Sequence, residues 1–337
     1  MKWMLFFLLL GCAQVTSLNL KKHQFGILPT KIIWFQIAGL EEEHLAMLRF
    51  QQSGETRTAF EEGDCIGKTW DYNLYDLRTK AEASFLAQLT GKKNIKLNCQ
   101  DASLRPIWSY LNNNGYNTGI IENGASSTQS LTSMNQCGEE GVVFLSSLYF
   151  WSRQEPPKNS ESFLFQQSIP LKANQIFYDR TCNAKSCFST FTDITKSVYN
   201  RFRGISQKHM LIVRDFSYLA ALEKKDFLKA KEILSDIEKS VAYANDLAKS
   251  SSDYLVLVTT GESRFVDMPD QGKGWYDFVK NGSHAQAKRA RLTNLLLATG
   301  SRAENFCGMY EDAEIMERIL SGPKQQGLEL KIINPFK

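Results

Sequence analysis

A layered α/β fold is predicted for this chain of 337 residues by two observations. Short apolar runs of strand length alternate with segments of helical periodicity along most of it, the pattern of a sheet layered with helices. With a leader set aside, about 325 residues remain, enough for one large domain or two ordinary ones. No internal repeat and no low-complexity tract interrupts the alternation.

The first dozen residues stand outside that pattern. Lys2 precedes an apolar run over 3–10 that ends in Leu-Leu-Gly-Cys. A bilayer-spanning helix needs about 20 apolar residues, so this run reads as the core of a cleaved signal over residues 1–11. The small Gly11 before Cys12 is what a lipoprotein peptidase requires, so Cys12 is expected to become a lipidated N-terminus in a bacterial membrane. An ordinary signal cut nearby, or a mis-assigned start, is the rival reading. Ala13 in place of Asp after the cysteine points to the outer membrane. Residues 12–30 then read as a tether, and 31–337 as a single domain with an excursion around 150–190.

The run at 32–37 is a buried strand; Leu104, Ile107, Trp108 and Leu111 mark one helix face, and 117–121 is the next strand. Runs at 141–145 and 209–213 are expected to follow as strands. Phe227, Ala230, Ile233, Leu234, Ile237, Val241, Ala244 and Leu247, at steps of three and four, define a long helix that feeds a strand at 254–259. Runs at 292–299 and 328–333 read as later strands, with a helix within 311–320 between them. Residues 152–168 are polar and carry Glu155-Pro156-Pro157, an excursion from the core and not a second domain. The run Leu148-Tyr149-Phe150-Trp151 reads either as an interaction surface or as buried core.

The net charge is +4, with the charges interspersed, so neither nucleic acid nor an acidic polymer is an implied partner. Besides Cys12 the chain has Cys65, Cys99, Cys137, Cys182, Cys187 and Cys307. An even number in an exported chain points to disulfides, and Cys182 and Cys187 are close enough to clip one loop. Zinc is the rival reading for that pair, against a spacing that is not C-x-x-C and the lack of a nearby His.

Four segments in order resemble the alkaline phosphatases. That family carries V-T-D-S-A-A-S-A-T-A-x-A-T-G-x-K, with its Ser nucleophile at a helix start; here Arg78-Thr79-Lys80-Ala81-Glu82-Ala83-Ser84 runs on to Ala87, Thr90, Gly91 and Lys93 in the same register. Gly115-Tyr116-Asn117-Thr118-Gly119-Ile120-Ile121 is similar to the family's G-K-x-T-G-I-V strand. From Val213 to Glu262 the spacing matches the family's V-E-G-G strand, D-x-x-x-H, long helix and strand closing on T-A-D-H, with Asp253, Leu255, Val256, Val258 and Thr259 in place. Asn294 to Gly300, then Phe306, Gly308, Tyr310 and Glu311, resemble its closing strand and F-x-G-x-x-E-N segment. The resemblance implies a three-layer αβα sandwich with a large, mainly parallel central sheet, and often a dimer.

It also implies a phosphomonoesterase in which zinc activates the nucleophile and a second zinc steadies the leaving oxygen. In the same register the nucleophile is Ala81 and the preceding Asp is Lys80. The first-strand metal Asp is Ala38, the magnesium-binding Glu is Arg214, and the D-x-x-x-H pair is Leu219 and Glu223. At T-A-D-H the chain reads Thr259-Thr260-Gly261-Glu262, and the last zinc His falls near Arg289. Neither zinc nor magnesium is therefore expected. The four histidines agree: His23, His44, His209 and His284 form no D-x-x-x-H or H-x-x-x-H spacing. His44 closes an acidic run, Glu41-Glu42-Glu43, which suits either a cation or a solvated helix start. His284 is the candidate for a displaced zinc ligand. Lys80, Arg214, Glu223, Glu262 and Arg289 are expected to converge at the strand ends. There Lys80, Arg214 and Arg289 form a candidate anion site, or the charges fill the vacated space as ion pairs.

Three functions remain open: a non-catalytic envelope lipoprotein that binds a protein, glycan or anion; a metal-dependent phosphate or sulfate ester hydrolase with displaced ligands; or a structural role in assembly.

Overall fold

The computed structural model describes residues 29–51, 57–158, 160, 162–163, 171–183 and 187–320. The leader, Cys12, His23, nearly all of the tether and the run at 328–333 lie outside them. In chain order, β1 (Lys31–Ala38) leads into α1 (Glu42–Gln51), then β2 (Cys65–Trp70), α2 (Ala81–Thr90), α3 (Ile107–Asn112) and β3 (Asn117–Asn123). After these come α4 (Gly138–Phe144), β4 (Leu148–Arg153), β5 (Ser162–Phe163), β6 (Gln175–Asp179), α5 (Phe191–Phe202) and β7 (His209–Asp215). The remainder is α6 (Ser217–Glu223), α7 (Phe227–Ser250), β8 (Tyr254–Gly261), β9 (Arg264–Asp267), α8 (Gly272–Asn281), β10 (Gln286–Ala290), β11 (Thr293–Gly300), β12 (Gly308–Glu311) and α9 (Glu314–Leu320).

Among the described residues, ten strands make one sheet in the order β12-β2-β11-β8-β1-β7-β3-β4-β6-β5, while β9 and β10 form a separate ribbon. Of the ten, β11 alone runs antiparallel to its neighbours, β2 and β8. β7 and β8 are buried throughout, because strands with helices on both faces meet apolar side chains above and below. One face packs on α1, α5, α6, α7 and α8, the other on α2, α3, α4 and α9, which gives three layers. Leu234, Ile237 and Val241 of α7 are each at most 1% exposed, so each contributes about 1.5–3 kcal/mol of apolar burial.

Several elements differ from the sequence reading. The run at 141–145 lies mostly in α4: Gly138 opens it, Glu139 and Glu140 suit its positive end, and Gly141 and Phe144 are buried three apart while Val142 and Val143 face outward. The strand comes next, as β4, and its aromatic run is buried core between β3 and β6. The excursion thus supplies β4, β5 and β6 to one side of the sheet. β2 and β12 complete the other side and were not foreseen.

Cysteines pair as Cys65–Cys307, Cys99–Cys137 and Cys182–Cys187. No helix among the described residues is long and apolar enough to cross a membrane.

Candidate functional site

The central strands end together, and α2 starts among their carboxyl ends. Ala38 of β1 is in register with Gly261 of β8, and the Gly39 amide donates to the Gly261 carbonyl at 2.9 Å. Ala38, Ala81 and Leu219, three positions where the resemblance calls for a metal ligand or nucleophile, pack with Phe85 and Phe216 in one buried apolar cluster. Gly261 is needed beside it, since a Cβ there would lie 2.9 Å from the Phe85 ring. The cluster is a plug of methyl groups and aromatic rings.

α2 begins without a side-chain cap of its own, because Lys80 is exposed and its side chain makes no capping bond. The cap comes from β8. Glu262 has φ 53, a left-handed conformation that a non-glycine residue adopts only when held, and its own amide donates to Asp71 Oδ2 at 3.1 Å. Glu262 Oε2 thereby accepts the Ala81 amide at 3.0 Å. A carboxylate at a helix N-terminus satisfies an orphan N–H and meets the positive end of the dipole. Its other oxygen is held by Arg264, which also reaches Glu223 at 2.8 Å. Burial raises the Glu262 carboxyl above its usual range, with Arg264 and the Ala81 amide opposing.

Arg214 lies deeper, 1% exposed, paired with Glu122 and with its guanidinium 5.7 Å from the Phe85 ring centroid and 5.2 Å from that of Phe216. Glu122 also accepts Ser130 Oγ at 2.5 Å and the Leu131 amide at 3.0 Å. Burial lowers the Arg214 pKa and Glu122 opposes it. Of the cations read as an anion site, Arg214 is thus committed inside the core and Lys80 stands at the helix start, while the side chain of Arg289 lies outside the described residues. Glu223 and Glu262 do meet, through Arg264.

Behind α2 a buried polar network replaces apolar packing. Ser84 Oγ donates to Asp312 at 3.3 Å and accepts from Asn294 at 3.2 Å; Lys93 reaches Asp312 at 2.6 Å and Glu311 at 2.9 Å. Lys93 also donates to the carbonyls of Trp70 and Tyr72. Burial pushes the Asp312 carboxyl up to about 7 against the pull of Lys93. Asp71, which accepts Thr79 Oγ1, is raised by burial too.

The histidines are elsewhere. His44 is fully buried, accepts the Glu41 amide on Nδ1 at 3.3 Å, and burial lowers its pKa to about 3. The acidic run beside it opens α1, with Glu42 and Glu43 in the first turn and only Glu41 buried; Lys68 pairs with Glu41 at 3.0 Å and with Glu42 at 2.5 Å, and Arg291 pairs with Glu43. His209 is core, bonded to Ser206 O and Tyr199 OH. His284 is exposed before β10, 3.7 Å from Asp277.

Sequence reasoning missed Glu122, Arg264, Asp71 and Asp312. Arg264 stands two residues after Glu262, and Asp312 directly follows the Glu311 that the resemblance had located, so adjacency was the available signal.

No protein-family profile matches the chain, and no curated protein does. Solved structures do. Alkaline phosphatase from the Antarctic bacterium TAB5 superposes with a TM-score of 0.66 at 15% identity, over 87% of this chain and 98% of that one. The cold-active enzyme from a psychrophilic Shewanella gives 0.66 at 11% identity over 86% and 98%, and that from Thermus thermophilus gives 0.65 at 10% over 91% and 94%. The architecture of this chain is the alkaline phosphatase fold.

Proposed function

We propose that this protein is a non-catalytic member of the alkaline phosphatase superfamily, a cell-envelope lipoprotein that uses the fold for binding or assembly. The observation that carries this reading is the Glu262 carboxylate on the Ala81 amide. A substrate phosphate needs the helix start that this carboxylate covers, and Ala81 has no oxygen with which to attack it.

Metal chemistry is absent from the reading for a related reason. Ala38, Leu219 and Gly261 offer no lone pair from a side chain, and the Arg214 guanidinium, a fixed cation, occupies the position of a magnesium ligand. The residues present do not fit zinc or magnesium there. Presentation at a membrane through a lipid on Cys12, on the outer membrane, belongs to the same proposal, as does a partner that is an envelope protein or glycan.

The test is elemental analysis of the purified protein after incubation with zinc and magnesium and gel filtration. Less than a tenth of an equivalent of either, roughly, is expected. Stoichiometric zinc that is lost in His284→Ala would overturn the reading in favour of a hydrolase with displaced ligands.

A further inference from the structure

A larger cleft opens beside the plugged site, at the carboxyl ends of β3, β4 and β6, where open α/β sheets gather ligands. Its volume is about 900 Å³, room for several sugar rings or a short peptide. The floor is rigid. Arg153, 7% exposed, donates to Asn123 Oδ1 at 3.1 Å and to the Ser189 carbonyl at 2.6 Å, and Asn123 donates in turn to Asp215. A floor whose groups are already locked costs little to organise on binding.

Two features select the ligand. The lining carries Arg153, Lys229 and Lys239 against Glu155, Glu232 and Asp236, so the cleft has no net field to draw in a polyanion. At its mouth stands Phe188, 94% exposed, next to the Cys182–Cys187 disulfide and tied by its amide to the Thr181 carbonyl at 3.2 Å. Its exposed ring offers an apolar face, while the amides and hydroxyls of the lining offer directional donors and acceptors. A pyranose has that same combination: an apolar C–H face for the ring and hydroxyls for the polar groups.

We propose that this cleft binds a neutral oligosaccharide, with Phe188 as the stacking platform. The site is separate from the helix start of α2, so it stands whether or not that position turns over phosphate. Isothermal titration of the purified protein with maltotetraose, cellotetraose and tetra-N-acetylchitotetraose tests it. Saturable binding of at least one is expected, weakened about tenfold by Phe188→Ala, kept by Phe188→Tyr, and unaffected by Leu77→Ala at an exposed leucine elsewhere. Absence of binding with all three, or binding indifferent to Phe188→Ala, would overturn the proposal. So would Phe188-dependent affinity for penta-alanine with none for the sugars, which would assign the cleft to extended peptide.

Discussion

Glu262 and Ala81 are joined by a hydrogen bond of 3.0 Å that runs from the first amide of α2 to a carboxylate 181 residues further along the chain. The bond closes the helix start from outside the helix. Glu262→Ala is therefore expected to cost about 1 kcal/mol, the usual loss for an N-cap, and to uncover the amide. Inorganic phosphate at millimolar concentration should then raise the melting temperature of Glu262→Ala and leave that of the unaltered protein unchanged, a difference that differential scanning fluorimetry measures.

Arg214 and Glu122 form a buried ion pair whose members are 1% and 2% exposed. Removing the cation alone leaves a buried charge, so Arg214→Met is expected to destabilise by about 3–5 kcal/mol in urea denaturation. The double change Arg214→Met with Glu122→Gln should recover most of that loss, because the neutral amide can accept the Leu131 N–H on its oxygen and donate its NH2 to the Ser130 hydroxyl. Equal losses in the single and double variants would mean that packing between Phe85 and Phe216, and not charge pairing, accounts for the cost.

Much of this arrangement was legible in the sequence, and the exceptions have physical reasons. β1, β7 and β8 are buried on both faces and so read as unbroken apolar runs, and α7 repeats its buried residues at helical steps. The run at 141–145 was ambiguous because five apolar residues fit a buried strand or one helical turn and a half. β2 escaped notice because its inward positions are Cys65, Gly67 and Thr69, small or polar residues against which no apolar pattern stands out. At the site, Ala38, Ala81 and Leu219 were visible one by one as departures from the pattern that the resemblance implies, but the side chains around them were not. Glu122, Arg264 and Asp71 lie far apart in the chain, and only the fold brings Arg264 and Asp71 to Glu262 and sets Glu122 against Arg214.

Burial sets the pH dependence in two opposite ways. His44 titrates at 6.5 when unfolded and at about 3 when folded, so the unfolded chain binds the extra proton between these values. Stability from this group is present above pH 6.5 and is lost as the pH falls to 3, by about 5 kcal/mol in total. Asp312 rises from 3.8 to about 7, so its contribution is present below 3.8 and is lost as the pH climbs to 7. His44→Gln should flatten the acid limb of stability against pH, and Asp312→Asn should steepen it; urea midpoints from pH 3 to 8 separate the two.

Cys65 and Cys307 close a loop of far greater length than Cys182 and Cys187, with separations of 242 and 5 residues. On chain-entropy grounds, replacing the first pair by serine should cost about 5 kcal/mol and the second about 2 kcal/mol. Chemical denaturation of the two double variants, compared with Cys99→Ser/Cys137→Ser in between, gives the order.

Whether the plugged helix start leaves any chemistry is decided most directly by turnover of 4-nitrophenyl phosphate, followed with and without added zinc and magnesium. A protein whose α2 amide is covered by Glu262 and whose nucleophile position is Ala81 should release nitrophenol at the buffer rate, unchanged by chelator. Metal-dependent release above that rate, abolished by Glu262→Ala or His284→Ala, would contradict the assignment of a non-catalytic fold.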